Sequence, residues 1–388
     1  VGPGEPGVRL GQVERLRRVV RGHLFGSHLS IDGLKHRQTG VDPGLQGGHI
    51  LAEQYAGAME PATLHLLMSV SKSIVGILVG ALVGEGMLNV EAPVTAYVPE
   101  LARSGYRGAT VRQLLDMRSG IRFSEDYLDP DAEVRELEQA VGWAPRRSPY
   151  VPTTLRGFLL TLRQAREHGG PFEYRSCESD ILGWVCEAAA GGRFAELAGE
   201  LVWSRLGVDF DANIGVDREG TGMFDGGISA ALCDLARFGV MIAQDGTSLN
   251  NHQVVPPAWI EDSFSGGPDS RQAFAASPND TRMPGGMYRN QFWFPWPDRQ
   301  VLLCLGIHGQ MIYVDRVTGL VAVKLSSWPT PQDPWRLFST LAAFDAINDV
   351  AGGVIVVAGR AFSRWVELDQ PVERVVVVGR RPRRGRCG

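Results

Sequence analysis

A serine and a lysine stand three residues apart in Leu66-Leu67-Met68-Ser69-Val70-Ser71-Lys72-Ser73-Ile74-Val75-Gly76-Ile77-Leu78. On a helix that spacing puts Ser69 and Lys72 one turn apart on one face. A serine hydroxyl is a weak nucleophile until a base takes its proton. A desolvated lysine at the positive end of a helix is expected to have a lowered pKa and to act as that base or as a proton shuttle. Arginine cannot do this, because it stays charged. Of the 39 basic residues, only Lys35, Lys72 and Lys324 are lysines. A chain that otherwise favours arginine keeps a lysine beside this serine, although four residues of this kind also meet by chance.

The element that must carry the pair is legible downstream. Ile74, Ile77, Leu78, Ala81 and Leu82 recur at helical spacing, and Val75 and Val79 fill the opposite side. A helix apolar nearly all round belongs inside a large core. With 388 residues, the chain is long enough to build one. Its 44% hydrophobic and 21% charged content is ordinary for a globular protein. A net charge of −4 gives no basic field for nucleic acid. The exception is the arginine-rich run from 379 to 386, which reads as a solvated tail. Cys177, Cys186, Cys233, Cys304 and Cys387 are odd in number and scattered, which argues against a disulfide framework or a zinc site. The longest apolar run, 74–83, is too short to cross a bilayer. The expectation is a cytoplasmic protein with no membrane partner, no metal and no cofactor.

Along the chain, residues 13–20 suggest a short amphipathic helix, and the Gly- and Pro-rich stretch to 48 has no clean period. His49–Tyr55 reads as a strand, with a poor hairpin partner at 41–45. Helices are expected at 111–117, 155–167, 178–190, 194–206, 230–243, 257–264 and 335–347. Residues 123–153 read as a long ordered loop beside a cleft. Three apolar runs, 301–307, 311–314 and 320–325, read as adjacent antiparallel strands. The fold class that follows is α/β in the α+β sense: an antiparallel sheet built from both chain ends, flanked by helices, with a mostly helical region inserted. The expected division is an N-terminal segment 1–48, one domain 49–350 and a C-terminal appendage 351–388. Within the domain, the sheet region covers 49–95 and 225–350, and the helical region 96–224. Valine-rich runs at 354–357 and 375–378 fall in the appendage.

From His49 to Val350 the chain resembles the penicillin-recognising serine hydrolases, whose hallmark is Ser-x-x-Lys opening a buried helix. Within them it resembles the class C β-lactamase-like branch, and most of all the 6-aminohexanoate-dimer hydrolases. The residues that carry this are 65–73, Tyr97-Val98-Pro99-Glu100-Leu101, Glu125-Asp126-Tyr127, Gly306-Ile307-His308-Gly309-Gln310 and Lys324-Leu325-Ser326-Ser327-Trp328-Pro329. The resemblance implies a serine hydrolase for amides or short esters, and it admits a homodimer. It makes Tyr174-Arg175-Ser176 the Tyr-x-Ser element facing the serine, with Tyr174 exchanging protons with Ser69. It places His308-Gly309-Gln310 where relatives carry Lys-Thr-Gly, and by that match Met311 gives the N–H that pairs with Ser69 N–H in an oxyanion hole.

On the substrate side the resemblance offers Tyr127, Glu138, Trp143, Ser176, Asp225, His308 and Gln310. A carboxylate at Glu138 suits a substrate ammonium. Two other readings stay open: a β-lactamase or peptidase for cell-wall-like substrates, disfavoured by the missing Lys-Thr-Gly, and a non-catalytic ligand-binding relative.

Overall fold

The computed structural model describes residues 49–57, 59–351 and 374–379. Seven antiparallel strands form the main sheet in the order β1-β10-β9-β8-β7-β6-β5. They are β1 (His49–Tyr55), β5 (Met287–Arg289), β6 (Phe292–Phe294), β7 (Val301–Gly306), β8 (Gln310–Asp315), β9 (Leu320–Leu325) and β10 (Arg374–Gly379). The three apolar runs read from the sequence are β7, β8 and β9, and each pairs with the next. A small second sheet joins β2 (His65–Leu66), β4 (Ile228–Ala230) and β3 (Asn213–Ile214).

The partner of β1 differs from the expectation. It is β10, registered between β1 and β9. The second valine run of the expected appendage is thus a strand inside the sheet, as its β-branched composition favours. The segments 13–20, 41–45 and 354–357 and the arginine run from 380 onward lie outside the described residues.

Helix α1 (Val70–Gly84) is the hub. Every residue from Val70 to Leu82 is buried, and each fully buried Val, Leu or Ile contributes about 1.5–3 kcal/mol. It packs on α5 (Ser176–Ala190) and on β7 and β8. The inserted region carries α2 (Val111–Leu115), α3 (Glu133–Ala140) and α4 (Leu155–Leu159) as well as α5. Two boundaries differ from the sequence reading. The expected loop 123–153 contains α3, which turns Val134 and Leu137 inward. The expected helix 155–167 stops after Leu159, because the chain returns to bridge Gln164 with Ile121. Helix α6 (Leu232–Ala243) covers β8, β9 and β10.

Candidate active site

The chain enters α1 through Met68, whose φ of +49° is uncommon for a side chain of that size. That turn sets Ser69 at the helix mouth as its N-cap residue. Lys72 follows one turn later, only 1% exposed. Its Nζ donates to Ser69 Oγ at 3.0 Å and to the carbonyl of Asp225 at 2.8 Å. The Asp225 carboxylate lies 3.7 Å from the same Nζ. Tyr174 completes the group: its hydroxyl makes hydrogen bonds with both Ser69 and Lys72.

Tyr174 is seated by aromatic packing. Its ring stacks on Trp293 with centroids 5.3 Å apart and meets Tyr288 edge-on at 6.2 Å. Phe172, Phe274 and Met117 close that cluster. Trp293 is a supporting residue that the sequence reading missed, although the aromatic run Phe292-Trp293-Phe294 was its signal.

The electrostatics correct one expectation. Burial pulls the Lys72 pKa down, but Tyr174, Asp225, Glu125 and Asp180 outweigh it, and the net direction is upward. Burial also pushes the Tyr174 phenol up, against the pull of Lys72. Lys72 is therefore protonated at neutral pH, and a base forms only when the Lys72–Tyr174 pair gives up a proton.

A second correction concerns the oxyanion donor. Arg316 N–H donates to Gln300 C=O at 2.9 Å, and Gly319 N–H to Asp315 C=O at 2.8 Å. In a strand, backbone groups of successive residues point to opposite sides. Counting by twos from these marks, Asp315, Tyr313 and Met311 point toward β9, where Met311 is registered with Lys324. The Met311 N–H is thus held in the β8–β9 ladder and cannot face Ser69. On β7 the same count turns Leu303, Leu305 and Ile307 away from β8. β6 meets β7 only at Leu303, so the Ile307 N–H points past its end. Gly306, next to it, lies so close to the Leu67 carbonyl that a Cβ there would stand 2.6 Å from that oxygen. The count thus leaves Ile307 N–H outside the β7–β8 ladder, next to Gly306 and beside the Leu67 turn that leads to Ser69.

This arrangement has relatives. A model of the family described as Beta-lactamase matches residues 44–343. The chain belongs to the β-lactamase family. It is 42% identical over 287 residues to the 6-aminohexanoate-dimer hydrolase of Paenarthrobacter ureafaciens, covering 74% of this chain and 72% of that protein. A Bacillus anthracis candidate 6-aminohexanoate-dimer hydrolase superposes with a TM-score of 0.69 at 23% identity, over 78% of this chain and 79% of that one. A penicillin-binding protein homologue from Caulobacter crescentus gives 0.60 at 16% identity, over 89% and 99%. These two structures share the fold. The kind of enzyme is a serine hydrolase acting on amides or esters.

The remaining residues expected at the site divide into four groups. Asp225 faces Lys72, as described. Tyr127 is half-buried and donates to Glu125 at 2.6 Å. Ser176, at the start of α5, is spent on the same carboxylate: its N–H and Oγ both donate to Glu125, at 2.9 and 2.5 Å. Glu125 thus gathers Tyr127 and Ser176 at a helix N-terminus, where a negative charge is favoured. Glu138 is half-buried, 3.0 Å from Arg135, and its carboxyl is raised by burial against the pull of Arg135, with Asp225 and Glu125 adding to the rise. Trp143 is 46% exposed, and its N–H donates to the Glu138 carbonyl.

His308 and Gln310 hold the strand connection. A carbonyl only accepts, so His308 Nδ1 donates to Trp328 C=O, at 2.7 Å. Gln310 is 2% exposed. Its amide donates to the carbonyls of Ile307 and Ser326 and accepts from Ser326 N–H. That leaves Gln310 no group for a substrate, which corrects its expected role.

Proposed function

We propose that this chain is a cofactor-independent serine hydrolase for linear amides or short esters, with Ser69 as nucleophile. The observation that carries the reading is the buried contact of Lys72 Nζ with Ser69 Oγ at 3.0 Å, with the Tyr174 hydroxyl against both. Ser69 Oγ attacks the carbonyl carbon, and its proton passes to the Lys72–Tyr174 pair. The negative oxygen is received by the N–H groups of Ser69 and Ile307. The pair then protonates the leaving amine or alcohol, leaving an acyl-serine. Water, deprotonated by the same pair, releases the acid.

The likeness to the Paenarthrobacter enzyme supports linear amides of ω-amino acids as substrates. Glu138 and Glu125 supply carboxylates near the pocket for an amino terminus, and Tyr127 and Trp143 supply aromatic surface. The free thiols of Cys177, Cys186, Cys233 and Cys304 support a reducing, cytoplasmic setting.

The test is hydrolysis of p-nitrophenyl butyrate and of the linear 6-aminohexanoate dimer by wild type, Ser69→Ala and Lys72→Ala. Wild type is expected to cleave the ester, and both variants to be inactive. A fluorophosphonate probe is expected to label wild type and spare Ser69→Ala. Activity that survives Ser69→Ala would sink the assignment of the nucleophile. Because the pair must lose a proton to act, kcat/KM is expected to rise with pH into the alkaline range and to fall as pH drops through the apparent pKa of the pair.

A further inference from the structure

Asp180 sits on α5 with no exposed surface. Its Oδ1 accepts the N–H groups of Phe224 and Asp225, at 3.1 and 3.0 Å. Three residues further along α5, Gly183 receives the Phe224 ring so closely that a Cβ there would stand 2.2 Å from it. α5 thereby grips the Phe224–Asp225 turn twice, and that turn delivers the carbonyl which takes the Lys72 ammonium at 2.8 Å.

Two oxygens remain unexplained. Asp180 Oδ2 and Asp225 Oδ1 are both buried without a hydrogen-bond partner. An unpartnered carboxylate oxygen is costly inside a protein. Two adjoining carboxylates with one nearby cation cannot both stay ionised cheaply. The charged groups facing Asp180 are Asp225 on the turn and Lys72 on α1, while Glu125 and Tyr174 face Lys72 from beyond it. We propose that Asp180 is a positioning residue for Lys72, acting through the Phe224–Asp225 turn, and that Asp180 and Asp225 hold one proton between them. The pair then presents a single negative charge to the ammonium. Burial and the Asp225 charge both raise the Asp180 pKa well above the usual carboxylate range, in keeping with this assignment.

The inference about Lys72 rests on the serine hydrolase reading, whereas the shared proton can be read without any activity. Asn at 180 keeps an oxygen for the two N–H groups and puts an N–H where the shared proton lies. Asp180→Asn is therefore expected to fold, with kcat for p-nitrophenyl butyrate within about threefold of wild type and an unmoved alkaline limb. Asp180→Ala leaves both N–H groups bare and is expected to lose about 10–100-fold in kcat with little change in KM.

The stability readout has a definite sign. A carboxyl that keeps its proton in the folded state and loses it in the unfolded one costs stability as pH rises. The Tm of Asp180→Asn relative to wild type should therefore climb between about pH 4 and pH 8. A flat or falling difference, an Asn variant that fails to fold, or an Asn variant as impaired as Ala would each overturn the proposal. If wild type cleaves nothing, the hydrolase reading fails and the Tm comparison still decides the shared proton.

Discussion

Gly306 has φ −131° and ψ 146°, an extended backbone that alanine adopts without strain, so Gly306→Ala tests contact alone. The added methyl would stand 2.6 Å from the Leu67 carbonyl and 3.0 Å from the Gln310 Cβ. The first is about 0.8 Å short of ordinary contact, which starts near 3.4 Å. Its partner is backbone, held by the Leu67 N–H bond to Ile228 C=O at 2.8 Å, so the β7–β8 connection must give way. Ile307 then moves off the oxyanion position by most of that distance. Misplacing a reacting group by about 1 Å costs about 100-fold, and losing one oxyanion donor costs about 100- to 1,000-fold in kcat. We expect kcat to fall by about 100-fold, KM to change by less than about threefold, and stability to drop by about 1–3 kcal/mol from overpacking. Steady-state hydrolysis of p-nitrophenyl butyrate with a thermal melt measures all three. A folded Gly306→Ala protein with kcat within about threefold of wild type would refute Ile307 as the donor.

Three other substitutions probe the supports. Gln310→Leu strips partners from the Ile307 carbonyl and from both backbone groups of Ser326, at about 1–3 kcal/mol each; urea denaturation should show a loss of at least about 3 kcal/mol, and a loss below about 1 kcal/mol would remove Gln310 as the clamp. Trp293→Leu unseats Tyr174, and with an aromatic pair worth about 0.5–1.5 kcal/mol it should lower kcat by up to about tenfold; an unchanged kcat would show that Tyr174 needs no stack. Glu178 is fully buried on α5, bonded by Ser119 and 3.5 Å from Arg175, and burial raises its carboxyl from 4.5 to about 8. The folded state then binds the Glu178 proton more tightly than the unfolded state, so its contribution is full below 4.5 and is lost as pH rises to about 8. Glu178→Gln should flatten that part of the Tm–pH curve, and an unaltered slope would show that Glu178 stays ionised.

The parts legible in sequence were those whose signal is periodic. α1 declared itself by apolar residues on every side, and β7, β8 and β9 by three apolar runs with a turn between the last two. The boundaries of α3 and α4 went astray because each depends on a distant return of the chain, such as Gln164 to Ile121. Ser69 and Lys72 were marked by type and spacing, and Tyr174 only by the family resemblance. The raised pKa of Lys72 was not legible, because the groups that raise it, Tyr174 first and then Asp225, Glu125 and Asp180, come from distant segments of the chain. Ile307, the donor proposed above, escaped notice for a different reason. An oxyanion donor is a backbone group, so side-chain identity does not mark it, and only the count of strand sides from Gln300 and Arg316 separates it from Met311.

The scarcity of lysine gives the site a spectroscopic handle. Nitrogen-15 placed in lysine side chains alone would yield three amine signals from the whole protein. Two of them come from buried groups: Lys72, bonded to Ser69 and Asp225, and Lys324, donating to Ser326 Oγ at 2.8 Å with its Nζ 4.7 Å from the Trp328 ring centre. Ring-current displacement would mark Lys324, leaving Lys72 to be followed through a titration, and through acylation of Ser69, at the nitrogen atom itself.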